Sequence, residues 1–313
     1  MIMKYIKPGA VLAVMLLVLI TLFTSCDKND DGPQCLLSTM NNEWVKDCDG
    51  DIESNSRQIS FTYDSTNRLT KWAWSNGGYV LFEYNSSGKL VKAEELWEDE
   101  LSYVYFTWDG NKVTRQMYWE EEPDISKSTI EFNSKGEVVR VEGFNNYEGD
   151  WILEWYETYT WKNGNLLKVE LYSLELDFIQ QRAGVERMNK PLNGMLRKSH
   201  RNDAKRVSAS LYRSQGSDFV LTLTTTFTYD DKQNPLSIHP ALSLWDVWSP
   251  LFKSKNNVVS WVELENHQGE DNTWSASLRY DYNNQEFPYK LTIEVEDECH
   301  WTEIIEYKYT NCD

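Results

Sequence analysis

The amino-acid sequence predicts an all-β protein, an antiparallel meander of repeated β-hairpins that forms a strongly twisted sheet or a partly closed roll. Three observations carry this. A short aromatic, turn, aliphatic pattern recurs along the chain, and no helical apolar period follows the first 25 residues. An apolar content of 41 % with 14 % aromatic is ample for the packed core that such a body needs.

The pattern first appears as Phe61-Thr62-Tyr63-Asp64-Ser65-Thr66-Asn67-Arg68-Leu69 and again as Phe82-Glu83-Tyr84-Asn85-Ser86-Ser87-Gly88-Lys89-Leu90. Phe106 to Val113 is a tighter copy, and Ile130 to Val138 and Tyr159 to Leu166 continue the series. Phe227-Thr228-Tyr229-Asp230 and Tyr280-Asp281-Tyr282-Asn283 are partial copies. Residues two apart on a strand share a face, so the two aromatics of each copy point together. The following Asp or Asn folds its side chain onto the backbone and starts a turn. Asn67, Gly88, Gly136 and Gly164 stand where a tight hairpin demands positive φ. Leu or Val then opens the returning strand, so each copy reads as one hairpin of a repeat architecture.

This unit resembles the YD repeat of the RHS family, with Tyr63, Asp64, Arg68 and Leu69 matching best. The resemblance implies hairpins rolled into a shell, although RHS shells use many tens of units and this chain has few. A group of Bacteroidota lipoproteins with degenerate YD-like hairpins is also similar. That likeness runs through Asp230 to Leu236, Lys255-Asn256-Asn257-Val258, Tyr280 to Asn283 and Phe287-Pro288-Tyr289-Lys290. It implies an all-β body and brings no activity with it.

The first residues read as an address. Lys4 and Lys7 precede an apolar run from Ala10 to Phe23, and Thr24 and Ser25 lead into Cys26. A charged start, a short apolar core and small residues describe a secretory signal over residues 1–25. The run is shorter than the roughly 18 to 20 apolar residues of a spanning helix. An uncleaved anchor helix is the alternative. Phe23-Thr24-Ser25-Cys26 resembles the relaxed Bacteroidota lipobox, which implies cleavage before Cys26 and lipid on that cysteine. Two or three acyl chains make such an anchor stable. Residues 26–34 then form a lipidated Cys with an acidic tether, either a solvated spacer or a surface-export signal. The expected location is the outer membrane, as a lipoprotein facing the periplasm or exposed on the cell surface.

A formal charge of −18, with Lys4 and Lys7 the only charges before Cys26, leaves a strongly acidic mature protein. Such a body repels phosphate backbones, which argues against nucleic acid as a partner. With 41 % hydrophobic residues the chain can build a core, and residues 35–313 read as a single hairpin-repeat domain. Glycan or protein is the expected partner class beside the membrane itself. One stretch breaks the pattern: nine basic residues fall between Gln181 and Arg213, inside an irregular insert at about 177–213. It reads as a long loop, or as a contact with the acidic body or an anionic partner.

Four cysteines follow Cys26, an even count that suits an exported disulfide protein. Residues 300–311 alternate as one strand, which would hold Cys299 and Cys312 roughly 40 Å apart. A disulfide needs Cα atoms within about 7 Å, so each must reach the N-terminal pair. In an antiparallel ladder the expected pairs are Cys35–Cys312 and Cys48–Cys299. The rival is a local Cys35–Cys48 loop turning at Asn41-Asn42. The first arrangement predicts both chain ends at one side of the body, with the repeats facing away.

Chemistry is sparse. His200, His239, His267 and His300 are scattered, and no metal-ligand, nucleophile or phosphate-loop motif appears, so no metal or cofactor and no catalytic residue is assigned. Acidic runs at Glu94, Glu95, Glu98, Asp99 and Glu100 and at Glu120, Glu121, Glu122 and Asp124 are solvated hairpin faces, or a carboxylate pair of a glycoside hydrolase. Flat aromatic rings stack on sugars or partner side chains. Trp72, Trp74, Trp97, Trp119, Trp245 and Trp248 are therefore the candidate binding residues, against the reading that they fill the core. Asp64-Ser65-Thr66 resembles a short Bacteroidota O-glycosylation motif in a turn. The reading is a non-enzymatic surface binding module, with a hydrolase or a purely structural envelope component as alternatives.

Overall fold

A computed structural model describes residues 35–48, 51–119, 122–147, 149–174, 219–237, 239–245, 250–266, 271–296 and 300–310. Sixteen described strands run in chain order: β1 (Leu36–Cys48), β2 (Asp51–Tyr63), β3 (Leu69–Trp74), β4 (Tyr79–Tyr84), β5 (Leu90–Trp97), β6 (Glu100–Asp109), β7 (Lys112–Trp119) and β8 (Glu122–Phe132). They continue as β9 (Val138–Tyr147), β10 (Asp150–Lys162), β11 (Asn165–Leu174), β12 (Phe219–Gln233), β13 (Asn256–Asn266), β14 (Asp271–Tyr282), β15 (Pro288–Glu296) and β16 (His300–Thr310). Between β12 and β13 lie a six-residue helix α1 (Pro240–Trp245) and a 3-10 turn (Pro250–Phe252).

Every strand pairs antiparallel with its neighbour in sequence, and β1 returns beside β16 to close a barrel. The expected meander is thus present, but it closes fully, where an open twisted sheet or a partial roll was expected. Closure satisfies the backbone groups that an open sheet leaves exposed at its two edges. The described strands between residues 37 and 309 make one compact unit. The signal region, Cys26, the tether and the basic insert lie outside the described residues.

The repeat explains the turns. In each full-length copy the Asp or Asn side chain accepts two backbone N–H groups, from residues two and four further on. Asp64 takes those of Thr66 and Arg68 (2.8 and 3.0 Å), Asn85 those of Ser87 and Lys89 (both 3.0 Å), and Asn133 those of Lys135 and Glu137 (2.9 and 3.1 Å). Asn283 repeats this with Gln285 and Phe287, both at 3.0 Å. The residue three beyond adopts the left-handed conformation: Asn67 at φ 62°, Gly88 and Gly136 at 78°, and Glu286 at 64°. Asn and Gly at the first three were legible as turn residues; Glu286 was not.

The two aromatics have separate tasks. The first is core: Phe61, Phe82, Phe106, Ile130, Tyr159 and Phe227 are all buried, as are the aliphatics Leu69, Leu90, Val113, Val138 and Leu166 that open the returning strands. The second ties one hairpin to the preceding one through a backbone carbonyl. Tyr84 donates to Leu69 O (2.7 Å), Trp108 to Leu90 O (2.8 Å), Trp161 to Val138 O (2.6 Å), and Tyr229 to Leu166 O. Phe132, which has no donor, is held instead by its backbone, bonding Asn111 through N–H and C=O. Where the repeat meets the closure, Tyr63 donates to Leu37 O (2.7 Å) and Tyr309 to Pro288 O (2.6 Å).

Those last two bonds fix an orientation. The repeat turns lie at the end of the barrel where Leu37 enters and Tyr309 leaves, called the turn end here. The expectation that the repeats face away from the chain ends is therefore overturned, because β1 and β2 pair with Thr39 opposite Ser60, which brings the start of β1 beside the first repeat turn. Strand β11 ends and β12 begins at the opposite end, with Leu174 opposite Phe219.

The sixth repeat is interrupted. Asp230 bonds the N–H of Lys232 as usual (3.0 Å), but its second N–H comes from Asn257 (3.2 Å), and Val258 takes the buried aliphatic position. The residues between enter the barrel as a plug. Leu236, His239, Ala241, Leu242, Leu244, Trp245, Leu251, Phe252 and Ser254 are buried. Asn234 donates to Leu251 O (2.6 Å) and Ser254 O (3.0 Å), and Ser254 Oγ bonds Tyr229 (2.8 Å) and Leu166 N (3.1 Å). Trp245 and Phe252 pack on Trp72, with ring centroids 5.6 and 5.8 Å away.

Candidate functional site

The polarity of the wall decides which surface can work. Strand β7 buries Val113, Arg115 and Met117 and turns Lys112, Thr114, Gln116 and Tyr118 out. Strand β16 buries Glu303, Ile305 and Tyr307 and turns out Glu306 and Lys308. The outer face carries the ion pairs Lys92–Glu83 (3.1 Å), Lys112–Glu131 (3.1 Å), Arg140–Glu142 (2.8 Å) and Lys168–Glu170 (2.8 Å). A membrane-spanning barrel has the reverse pattern, an outward apolar band about 25 Å tall around a polar lumen. This barrel has a packed interior and a charged exterior.

The Trp candidates divide accordingly. Trp72, Trp74 and Trp245 are buried and pack into one cluster, with Trp72 5.8 Å from Trp74. They are not a surface, and Trp245 belongs to the plug. Trp97 is half-buried, edge-on to Trp74 at 5.1 Å, with the Arg57 guanidinium 4.8 Å over its ring. Trp119 is half-buried against the same core. Trp248 lies outside the described residues. Strand β1 runs unbroken through Asn41 and Asn42, so no local turn brings Cys35 to Cys48; Cys299 and Cys312 lie outside the described residues. Ser65 is exposed at its turn, while Thr66 Oγ1 is committed to Asp64 (2.8 Å).

Beyond the core, three arrangements could carry chemistry. The first is inside. Glu263 and Glu265 share the inner face of β13, and Glu303 is fully buried, accepting from Asn42 Nδ2. Burial pushes the Glu303 carboxyl up to about 7; burial, then the neighbouring Glu265, pushes Glu263 up to about 7. His239, on the plug, is drawn down to about 4 by burial and shares a hydrogen bond with Tyr63 at 3.1 Å. The sequence signal was available: Glu263, Glu265 and Glu303 each stand at an inward position of an alternating strand. Among the described residues no group of three or more metal-binding side chains comes together.

The second is an outer wall of aromatics backed by cations, spread over β3 to β11. Lys71 sits 5.2 Å over Tyr79 and Lys92 5.1 Å over Tyr103, and Tyr105 meets Tyr118 edge-on at 5.6 Å. Lys127 lies over both Phe144 (5.3 Å) and Trp151 (5.4 Å). Arg140 caps Tyr156 at 3.9 Å, and Tyr156 stacks on Tyr172 at 4.7 Å. Tyr105 is the most open of these, 45 % exposed.

The third is a pocket of about 360 Å³ across β16, β1 and β2, bounded by Ser75 of the β3–β4 turn. Asn41 and Gln58 face each other across the β1–β2 ladder, with Gln58 Nε2 donating to Asn41 Oδ1 at 2.9 Å. Glu43, Ser56, Ile304 and Glu306 complete the outward lining.

No family model and no curated protein matches the chain. Among solved structures, a porin-like protein from Bacteroides uniformis is similar with a TM-score of 0.42 at 11 % identity, covering 88 % of this chain and 96 % of that one. A TcdB2–TccC3–Cdc42 structure is similar with a TM-score of 0.20 at 10 % identity, covering 82 % of this chain and 14 % of that one.

Proposed function

We propose that the protein is an exported, lipid-anchored envelope lipoprotein whose filled barrel is a non-enzymatic scaffold, and that its outer wall binds glycan or protein. The observation that carries this reading is the ladder of cation-backed aromatics on the outer face, with Tyr105 and Tyr118 at its most open point. Such rings offer large, rigid contact area at little entropic cost, and a stacked cation adds polar recognition. An anchor at Cys26 would join the barrel through the residues that lead into β1.

The seam between β1 and β16 supports the disulfide reading. Ser38 bonds Lys308 O at 2.9 Å, Asn42 bonds Glu303, and Trp44 stacks on Trp301 at 5.0 Å. Cys35 and Cys48 are both in disulfide form. Continuing this register favours Cys35–Cys312 and Cys48–Cys299, two bridges across the closing seam. Non-reducing peptide mapping that recovers these two crosslinked pairs supports it, and any other pairing ends it.

The test of the binding reading is a pull-down and glycan array on the full lipoprotein in detergent, beside the Tyr105→Ala/Tyr118→Ala variant. A ligand captured by the native protein and lost by the variant is the expected result. Capture that the variant retains contradicts it. The hydrolase alternative has one observation in its favour, the inward-facing Glu263–Glu265 pair, with the half-buried Glu263 carboxyl raised to about 7 and suited to proton transfer. It predicts a glycosidase activity that Glu263→Gln abolishes.

A further inference from the structure

The pocket across the barrel seam has a composition unlike the aromatic wall. Neighbours on a strand alternate in direction, so Asn42 and Arg57, which turn inward to Glu303 and Trp97, give it backbone only. The groups that face it are two amides, two hydroxyls, two carboxylates and one aliphatic side chain. The amides are pre-oriented. Gln58 Nε2 is engaged by Asn41 Oδ1, which leaves Asn41 Nδ2 as a donor and Gln58 Oε1 as an acceptor for a bound molecule. Ser75 is fixed beside them, its N–H donating to Gln58 O (2.9 Å) and its Oγ accepting from Gln58 N (3.3 Å).

Adjacent donors and acceptors complement vicinal hydroxyls, each of which both donates and accepts. Ile304 supplies the one apolar patch, a surface for C–H groups. Glu43 and Glu306 make the mouth negative, and no described cation pairs with either. Anionic ligands are disfavoured there. The volume lies at the lower end of the range for small-molecule sites.

We infer that this seam pocket, built by Asn41, Glu43, Gln58, Ser75 and Glu306, is a binding subsite for a neutral saccharide, one or two sugar units of a longer glycan. This rests on the reading of the protein as a binding module and adds the substrate class and the place. The test is titration of the full lipoprotein in detergent micelles with neutral oligosaccharides and with their sulfated or sialylated counterparts. The side-chain amide resonances of Asn41 and Gln58 are followed by NMR.

Saturable shifts of those two amides by a neutral sugar, at least tenfold weaker binding of the charged counterparts, and a tenfold loss in Asn41→Ala/Gln58→Ala are expected. A Glu43→Lys/Glu306→Lys variant should narrow the gap between neutral and anionic sugars. It lies on exposed positions, so it reads charge selection without disturbing the fold. Glycan binding that leaves the two amides unmoved, or that survives their replacement, overturns the pocket while keeping a binding role for the outer wall. No response to any neutral sugar at millimolar concentration overturns the pocket outright, whatever a protein pull-down returns.

Discussion

Near the repeat turns the inward positions of the barrel carry Phe61, Phe82, Phe106 and Ile130 beside Leu69, Leu90 and Val113, with the plug residues Leu242 and Phe252 packed among them. Farther from those turns β2, β7, β10, β13 and β16 direct Arg57, Arg115, Glu157, Glu263, Glu265 and Glu303 inward. The first region buries apolar surface, a term of about 1.5 to 3 kcal/mol for each large side chain. The second buries charge, which costs stability unless each group is neutralised or paired. One repeat thus builds a stabilising layer and leaves the other layer free to be something else.

The difference is open to attack at both layers, and the largest effect is expected at the plug. Leu242 is completely buried at its centre, so Leu242→Ala should lower unfolding free energy by about 3 to 5 kcal/mol in denaturant titration. A loss under 1 kcal/mol would mean that the plug is ornament and the wall stands alone.

Next comes the charged layer. Glu303 titrates near 7 in the folded protein against about 4.5 unfolded. The folded state therefore holds its proton more tightly, and stability is lost as pH rises from 4.5 through 7. Glu303→Gln removes that loss while keeping an acceptor for Asn42, and should raise stability by up to about 3 kcal/mol at pH 8 with little change at pH 4. His239 has the opposite sign. Its folded value near 4 lies below the ordinary 6.5, so it destabilises as pH falls from 6.5 towards 4. Melting curves of Glu303→Gln that shift equally at both pH values would remove burial of charge from the account.

A Cβ at Gly143 would lie 2.0 Å from the Trp155 ring, inside any permitted contact. Gly143→Ala should cost about 1 to 3 kcal/mol through forced displacement of that ring. The smallest effect belongs to the inter-hairpin bond. Tyr84→Phe keeps the ring and loses the donor to Leu69 O, and about 1 kcal/mol is expected.

The turns were legible because each depends on a few adjacent residues. Asp64, Asn85 and Asn133 bond backbone four residues away at most, and Asn67, Gly88 and Gly136 announce their conformation by type. Closure was not legible, since no single hairpin records how many others complete the ring. The plug was hidden by its own pattern: Pro240, Pro250 and the aromatic pair Trp245 and Phe252 look like a loop until a lumen exists to receive them. Trp72 and Trp74 could not be assigned a side either, because strands such as β6 place aromatics on both faces, Phe106 inward and Tyr103 and Tyr105 outward. The seam pocket joins β1, β2 and β16 from opposite ends of the chain, beyond the reach of any local pattern.

The central claim is that the barrel is packed inside and charged outside, so that the lipid proposed on Cys26 would be its only hold on a membrane. The most direct measurement is sedimentation and thermal unfolding of a Cys26→Ser protein made without its signal peptide, in buffer free of detergent. The account predicts a soluble, folded barrel that melts cooperatively. A protein that stays folded only in micelles or inserts into lipid bilayers would contradict it.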